Sequence, residues 1–305
     1  MSQSTRIVNY LLRTLKFNKM FLDMEDSIGD RKKFEEIVIR ARAKENCNFP
    51  PAKLFKHYAI SKIVIGNHTT HLLKQKKGTN KKIVIYFHGG GYVKGPLALQ
   101  WKTLAEIADA TMYDVAILNY PKTPEYTWQE AINYCVQVIE KILLNYGQKN
   151  IIFFGDSAGG GLALSLFMRL RDLGKATPVK MILMSPWLDV SMTNTEIPKY
   201  KDKDLILTVD GLIACGLFYA GGIDTRDWRV SPIYGDLDSL PETHVFVGGS
   251  ELFYPDCRDF IKNAKAKGYV AELHHYEDMQ HDWPIMPLIT EAKKARSEII
   301  ELIRS

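Results

Sequence analysis

Between Lys82 and the C-terminus, short runs of β-branched and aromatic residues alternate with longer segments whose apolar residues recur at helical spacing. The short runs, each predicted to be a strand, are KIVIYF, VAILNY, NIIFFG, KMILMS, THVFVGG and VAELHHYE. The longer segments, each predicted to be a helix, are LQWKTLAEIADATM, TWQEAINYCVQVIEKILLNYG, AGGGLALSLFMRLRDLG, YPDCRDFIKNAKAKG and PLITEAKKARSEIIELIRS. Continuous apolar strands separated by helices are typical of a parallel sheet buried on both faces. The alternation predicts an α/β fold with helices on both sides of a mostly parallel central sheet.

Three segments depart from this alternation. Residues 3–45 carry apolar residues at helical spacing and are predicted to form two helices, whereas residues 58–82 alternate in polarity around glycine turn signals, which favours a strand hairpin. Residues 192–226 form a long, partly helical insertion between two predicted strands. We therefore predict an N-terminal helical lid segment over residues 1–50 and a core domain over residues 51–305. The insertion is predicted to be a second lid that packs with the first.

A glycine-rich loop follows the first of the predicted strands of the core. His88 ends that strand and is followed by Gly89, Gly90 and Gly91. A flexible turn would explain the glycines, but it would not explain their position directly after a buried strand. A chemical group that approaches the backbone too closely for a Cβ atom explains both. We predict that this loop faces a ligand and that His88 maintains the shape of the loop.

The stretch Gly155-Asp156-Ser157-Ala158-Gly159 matches the pattern G-x-S-x-G between a predicted strand and a predicted helix. In that context the serine occupies a tight turn with small neighbours, and its hydroxyl projects at the edge of the sheet. The pattern alone is often a plain glycine-rich turn, and it also resembles the serine motif of chymotrypsin-like proteases. Those proteases are all-β, whereas a long amphipathic helix follows here, and the chain has no phosphate-binding G-x-x-x-x-G-K-[ST] pattern. We interpret Ser157 as a candidate nucleophile.

A nucleophilic serine needs an acid and a histidine, which in this setting follow it in that order along the chain. His281 comes after the last predicted strand and is the candidate base. Glu251 lies at the end of the preceding strand, 30 residues before His281, and Asp256 is an alternative acid five residues further on. His274 and His275 lie within a strand, and we interpret them as ordinary strand residues rather than metal ligands.

Together, the motifs HGGGY, GDSAGG, SPWLD and QHDW resemble those of the hormone-sensitive lipase family of α/β-hydrolases, over about residues 80–300. The resemblance implies an α/β-hydrolase fold with a helical lid, and a serine esterase that hydrolyses short- to medium-chain carboxylic esters through an acyl-enzyme. It implies that Ser157 is the nucleophile and His281 the base, with no metal and no organic cofactor. The implied oxyanion hole consists of the backbone N–H groups of Gly89, Gly90 and Ala158. The implied supporting residues of the two glycine motifs are His88, Gly91, Gly155, Asp156 and Gly159.

The acid position differs from the usual family pattern. Most members carry aspartate in a D-P-L-x-D motif, whereas this chain has Glu251 at the first acidic position and Asp256 at the second. Some members use glutamate, so we favour Glu251 and keep Asp256 as the alternative acid. The family's Y-R-x-A-P-E segment is also altered, to NYPKTPEYTW.

The sequence leaves other functions open. Gibberellin receptors resemble this family but lack the catalytic histidine, so a non-catalytic ligand-binding role is the less favoured alternative. An amidase, or a deacetylase that acts on sugars or small acylated metabolites, would use the same triad, because fold and triad do not fix the substrate. A third possibility is that the basic N-terminal helix brings the protein to an anionic membrane.

Charge and cysteine usage restrict the partners and the compartment. Residues 1–82 hold 18 of the 40 Lys and Arg residues but only 7 of the 35 Asp and Glu residues; the net charge of +5 is too small to indicate nucleic-acid binding. Basic residues interrupt any apolar signal-peptide core, and no run is long enough to insert stably into a membrane. The cysteines are scattered, as free thiols of a reducing compartment are; they are Cys47, Cys135, Cys215 and Cys257. We predict a cytoplasmic protein that acts on a small-molecule ester, with a homodimer as one option for its assembly.

Overall fold

The computed structural model describes residues 2–43, 48–76 and 81–305, and eight strands within them form one sheet. The strands are β1 (Tyr58–Ile65), β2 (His68–Gln75), β3 (Ile83–Phe87), β4 (Asp114–Leu118), β5 (Ile151–Asp156), β6 (Lys180–Met184), β7 (Glu242–Gly248) and β8 (Ala271–Tyr276). The helices are α1 (Gln3–Thr14), α2 (Lys19–Glu25), α3 (Arg31–Ala43), α4 (Leu54–His57), α5 (Ala98–Thr111), α6 (Trp128–Tyr146), α7 (Ala158–Asp172), α8 (Val209–Ala220), α9 (Tyr254–Ala266) and α10 (Thr290–Arg304). Cys47, part of the predicted lid segment and the second predicted turn, at residues 78–80, lie outside the described residues.

The strands lie side by side in the order β1-β2-β4-β3-β5-β6-β7-β8. β2 pairs antiparallel with β1 and with β4, and all pairs from β4 to β8 are parallel. Side chains that alternate along each strand enter two hydrophobic cores, one on each face of the sheet. The predicted α/β fold, its mostly parallel sheet and the antiparallel hairpin are therefore confirmed.

The N-terminal segment contains three helices where the sequence predicts two. α1 ends because Lys16 adopts a left-handed backbone conformation, with φ of 47°, before α2 begins. The apolar spacing continues across this break, from Leu11 and Leu15 to the Phe17–Phe21 region, which is why periodicity alone predicts a single helix.

The connection between β6 and β7 contains α8 and packs against the N-terminal helices. The rings of Phe34 and Phe218 stack with centroids 4.0 Å apart, and the Cys215 thiol lies 3.3 Å from the sulfur of Met24. The two segments predicted as lids are thus in direct contact, while their action as lids stays a prediction. None of the helices in the described ranges is both long and apolar enough to cross a bilayer.

The order of the strands determines where loops can form a site. Because β4 lies on one side of β3 and β5 on the other, the chain reverses its direction across the sheet between β3 and β5. Ligands in open α/β sheets bind beyond the carboxyl ends of the strands at such a reversal. Phe87, at the end of β3, pairs with Gly155 in β5, so the loops that follow these two strands are neighbours.

Candidate active site

Ser157 occupies a strained turn between β5 and α7. Its φ of 52° and ψ of −124° define a backbone conformation that residues with a side chain rarely adopt. The turn closes only because its neighbours lack side chains: a Cβ atom on Gly159 would collide with the Phe87 carbonyl oxygen, and one on Gly155 would lie 2.8 Å from the Gly159 carbonyl oxygen. The G-x-S-x-G spacing therefore reflects backbone packing that holds the Ser157 hydroxyl at the sheet edge.

His281 connects this hydroxyl to a buried carboxylate. Its Nε2 lies 3.0 Å from Ser157 Oγ, and its Nδ1 lies 2.8 Å from Glu251 Oε2. Glu251 is fully buried in the loop after β7, and its other oxygen accepts hydrogen bonds from the Ser185 hydroxyl at 2.8 Å and from the Gly248 amide at 2.6 Å. Three segments distant in sequence thus form one hydrogen-bonded chain from serine to histidine to glutamate.

Asp256 lies apart from this chain, in the first turn of α9. Its Oδ1 accepts a hydrogen bond of 2.8 Å from the Asn194 side chain, and its Oδ2 is buried without a partner among the described residues. Burial raises the pKa of this carboxyl to about 7. Of the two acids that the sequence offers, the structure brings Glu251 to His281 and leaves Asp256 beside Asn194.

In the loop after β3, the contacts of Gly89 differ from its predicted role. The Gly89 N–H donates to Asp156 Oδ1 at 2.9 Å, so it is not available to an oxyanion, and the prediction of Gly89 as a donor is wrong. Gly90 and Gly91 line the cleft above Ser157, with φ of 123° and 63°. Among the described residues, the N–H groups of Gly90, Gly91 and Ala158 meet no protein acceptor. Two of these amides, those of Gly90 and Gly91, lie at the cleft, and that of Ala158 directly follows Ser157.

Asp156 holds the glycine loop against the serine turn. In addition to the Gly89 amide, its carboxylate accepts hydrogen bonds from the Tyr86 hydroxyl and from Gln100 Nε2, the latter at 2.7 Å. Burial, together with the charge of Asp282, raises the pKa of Asp156 to about 8. Asp156 is thus a buried link between the two loops.

His88 lies in the interior below the loop. Its ring stacks on Tyr120 with centroids 4.4 Å apart, its Nδ1 lies 2.8 Å from the Gly89 carbonyl oxygen, and the Tyr120 hydroxyl donates to the His88 carbonyl at 2.7 Å. Burial lowers the pKa of His88 to about 3, so the ring is neutral. These contacts fit the predicted role of His88 in the shape of the loop.

The structure adds acidic residues at His281 that the sequence analysis missed. Asp282 Oδ2 lies 3.2 Å from His281 Nε2, on the side that also meets Ser157. Asp204, in the connection before α8, is buried near the same ring, where its carboxylate accepts the backbone N–H of Leu252. Asp282 directly follows His281 in the sequence, and this position could have been used to predict that it lies at the site. Asp204 comes from a distant segment that no local pattern connects to the site.

The cleft above Ser157 is small and mostly apolar, with a cavity of about 120 Å³. The turn between α1 and α2, α2 itself and the segment before α8 contribute to its walls. The apolar residues around the cleft are Phe17, Met20, Phe21, Leu97, Ile206, Leu207 and Ile285.

Comparisons with known proteins agree with this architecture. A family model described as the alpha/beta hydrolase fold matches residues 84–285. An esterase of Acinetobacter venetianus is 32% identical over 73% of this chain and 75% of its own length. An acetyl-hydrolase of Streptomyces hygroscopicus is 27% identical over 74% of this chain and 77% of its own length. The crystal structure of an esterase from the bacterial hormone-sensitive lipase family, 26% identical, superposes with a TM-score of 0.75 over 95% of this chain and 97% of that one.

Proposed function

Because this chain belongs to the hormone-sensitive lipase family of α/β-hydrolases and is a carboxylic ester hydrolase, we propose that it cleaves short- to medium-chain esters through a triad of Ser157, His281 and Glu251. The observation that carries the proposal is the hydrogen-bonded chain from Ser157 Oγ through the imidazole of His281 to Glu251. A nucleophile next to a base, with the base oriented by a third group, is the arrangement that activates a serine.

The reaction begins when Ser157 Oγ attacks the ester carbonyl carbon and His281 Nε2 takes the hydroxyl proton. Glu251 holds the Nδ1–H of the ring and stabilises the imidazolium that forms. Collapse of the tetrahedral intermediate breaks the bond to the alcohol, which leaves with the proton from His281. Water then loses a proton to His281 and attacks the acyl-enzyme. Collapse of this second intermediate breaks the bond to Ser157 Oγ, which takes the proton back from His281, and the carboxylic acid is released.

The carbonyl oxygen becomes negative during both halves of the reaction. We assign its stabilisation to the N–H groups of Gly90, Gly91 and Ala158: the two glycines line the cleft, Ala158 directly follows Ser157, and none of the three N–H groups meets a protein acceptor among the described residues. One such donor typically contributes roughly 10²–10³-fold to the rate. Ala158 is also the first residue of α7, whose positive N-terminal end favours negative charge at that position.

The size and lining of the cleft support a preference for short acyl chains. The cavity of about 120 Å³, which Phe21 and Leu207 help to line, favours an acetyl to butyryl group over a longer chain. We expect kcat/KM for p-nitrophenyl esters to be highest from acetate to butyrate and to fall for longer chains.

The Ser157→Ala variant tests the proposal. We expect its turnover of p-nitrophenyl butyrate to fall by roughly 10⁴-fold or more, as in other serine hydrolases without their nucleophile. Ser165→Ala, a change further along α7 and outside the cleft, is the matched control and should retain activity. Undiminished turnover by Ser157→Ala would overturn the triad, and faster cleavage of butyryl p-nitroanilide than of the ester by the wild type would make the protein an amidase.

A further inference from the structure

α1 packs on the protein with one side and leaves an apolar side uncovered. Thr5 and Leu12 are buried, and Ser2 and Thr5 anchor the helix through hydrogen bonds to Glu291 at 2.7 and 2.8 Å. On the opposite side and in the following turn, large apolar side chains face outward; Tyr10 is 68% exposed and Leu15 70%. The exposed residues, called the α1 patch below, are Ile7, Tyr10, Leu11, Leu15 and Phe17. Contiguous exposed apolar surface of this kind marks a binding site.

The charged residues of the segment that carries the α1 patch are all positive. Residues 2–22 contain four cationic residues and no Asp or Glu. The four are exposed, and they are Arg6, Arg13, Lys16 and Lys19. Arg6, Arg13 and Lys16 pair with no carboxylate of the described residues, and Lys19 pairs only with Asp23, at 3.2 Å. The patch is therefore a helix face with apolar side chains flanked by cations, the composition of a helix that lies in the surface of an anionic bilayer.

Two further features favour a lipid surface over a second copy of the chain. A symmetric dimer through this face would bring the same four cations of both copies together, which costs electrostatic energy. A bilayer instead supplies anionic headgroups for the cations and acyl chains for the apolar side chains, and the long stems of Arg and Lys reach between the two. Phe17 belongs both to the α1 patch and to the rim of the cleft above Ser157. The surface that would meet lipid is thus continuous with the entrance to the site.

We propose that the α1 patch docks this protein on the surface of an anionic lipid bilayer, with the entrance of the cleft toward the headgroups. The contact is peripheral, since α1 keeps its anchored side on the protein. Docking itself does not depend on catalysis; only the consequence, that ester substrates enter from the lipid surface, rests on the proposed function.

Vesicle sedimentation of the full-length chain tests the proposal. We expect wild type to sediment with vesicles of phosphatidylcholine and phosphatidylglycerol, to bind phosphatidylcholine vesicles less, and to lose binding as salt is raised.

Leu15→Ser should lower the partition coefficient about tenfold, as withdrawal of one large apolar side chain from lipid predicts. Arg6→Gln with Arg13→Gln should weaken binding to the anionic vesicles only. Leu144→Ser, which removes an 85% exposed leucine from α6, is the matched control and should bind as wild type does.

Several outcomes would overturn the proposal. One is wild type that stays in the supernatant with both kinds of vesicle, and another is equal loss of binding in Leu15→Ser and Leu144→Ser. A wild-type dimer that Leu15→Ser converts to monomer, without vesicle binding, would assign the patch to a second copy instead. Hydrolysis of water-dissolved p-nitrophenyl acetate, measured in parallel, should be the same in all these variants, so failure of docking is distinguishable from failure of the proposed function.

Discussion

At the scale of single residues, His281 is surrounded by carboxylates. Glu251 meets its Nδ1 and Asp282 its Nε2, while Asp204 and Asp156 lie buried beyond them. Burial alone would lower the pKa of His281, but the charges of Asp282 and Glu251 and their bonds to the ring outweigh burial and raise the pKa well above its usual value. A protonated His281 cannot accept the Ser157 proton, so activity should be lost as the pH falls through this raised pKa.

The Asp282→Asn variant tests whether neighbouring carboxylates raise the pKa of His281. The change removes one of the two negative charges in contact with the ring, so it should lower the pKa of His281 and move the acidic limb of the pH profile of kcat/KM to lower pH. Activity at neutral pH should then rise relative to the alkaline plateau. Glu277→Gln, which neutralises an exposed acid of the same loop, should leave the limb in place. A profile for Asp282→Asn that superposes on wild type would contradict this assignment.

The two acids that the sequence offers for the triad can be separated by isosteric amides. Glu251→Gln loses the charge that stabilises the His281 imidazolium, and we expect kcat to fall by roughly 10³–10⁴-fold. Asp256→Asn changes a carboxyl that meets Asn194 rather than His281, so its kcat should stay within about a factor of three of wild type. Steady-state kinetics on p-nitrophenyl butyrate measures both, and a reversed pattern would make Asp256 the acid.

Some residues of the site can be predicted from the sequence and others cannot. The difference depends on whether strand ends or tertiary contacts position them. Ser157 and His281 lie within a few residues of the ends of predicted strands, so chain order and strand ends suffice to bring them to the same edge of the sheet. The role of Gly89 could not be read in this way. Three consecutive glycines look equivalent in sequence, and only the tertiary bond from Gly89 to Asp156 distinguishes the first from the other two.

At the scale of elements, local patterns predict strands and helices well, but not how they pair. The apolar runs of β3 to β8 and the glycine turn of the β1–β2 hairpin are local signals, and all of them correspond to observed strands. The order of the strands is a matter of long-range pairing, such as that of Phe87 with Gly155, and no local pattern encodes it. The helix break at Lys16 could not be predicted either, because nothing in the sequence there indicates that a non-glycine residue adopts a left-handed conformation.

Contacts between elements explain why the insertion and the N-terminus cannot be treated separately. A Cβ atom on Gly211 of α8 would collide with the Phe21 carbonyl oxygen, so α2 and α8 approach each other backbone to backbone. Phe21 at this contact also lines the cleft. The shape of the cleft above Ser157 therefore depends on two segments that are almost 200 residues apart in sequence, as the Met24–Cys215 contact also indicates.

At the scale of the whole molecule, the contribution of two buried carboxyls to stability and the activity of the site respond to pH in opposite directions. Asp156 and Asp256 have pKa values raised by burial, to about 8 and about 7. In the unfolded chain both ionise near pH 4. Above that pH the folded protein retains protons that the unfolded chain releases, so a rising pH favours unfolding until the raised pKa values are passed. The proposed base, in contrast, works only once His281 has lost its proton at higher pH.

The Asp256→Asn variant isolates the contribution of Asp256 to the pH dependence of stability. The side-chain oxygen of asparagine can still accept the hydrogen bond from Asn194, but no proton is exchanged on unfolding. The contribution of Asp256 to stability is fully present below the unfolded pKa and disappears as the pH rises through about 7. We therefore expect the Tm of wild type to fall more steeply than that of Asp256→Asn between about pH 4 and pH 7, with a difference of several degrees. Calorimetric Tm values across this range measure it, with Asp259→Asn, a more exposed acid in the same helix, as the control. Parallel Tm profiles for wild type and Asp256→Asn would mean that the Asp256 carboxyl ionises in the folded protein as it does in the unfolded chain.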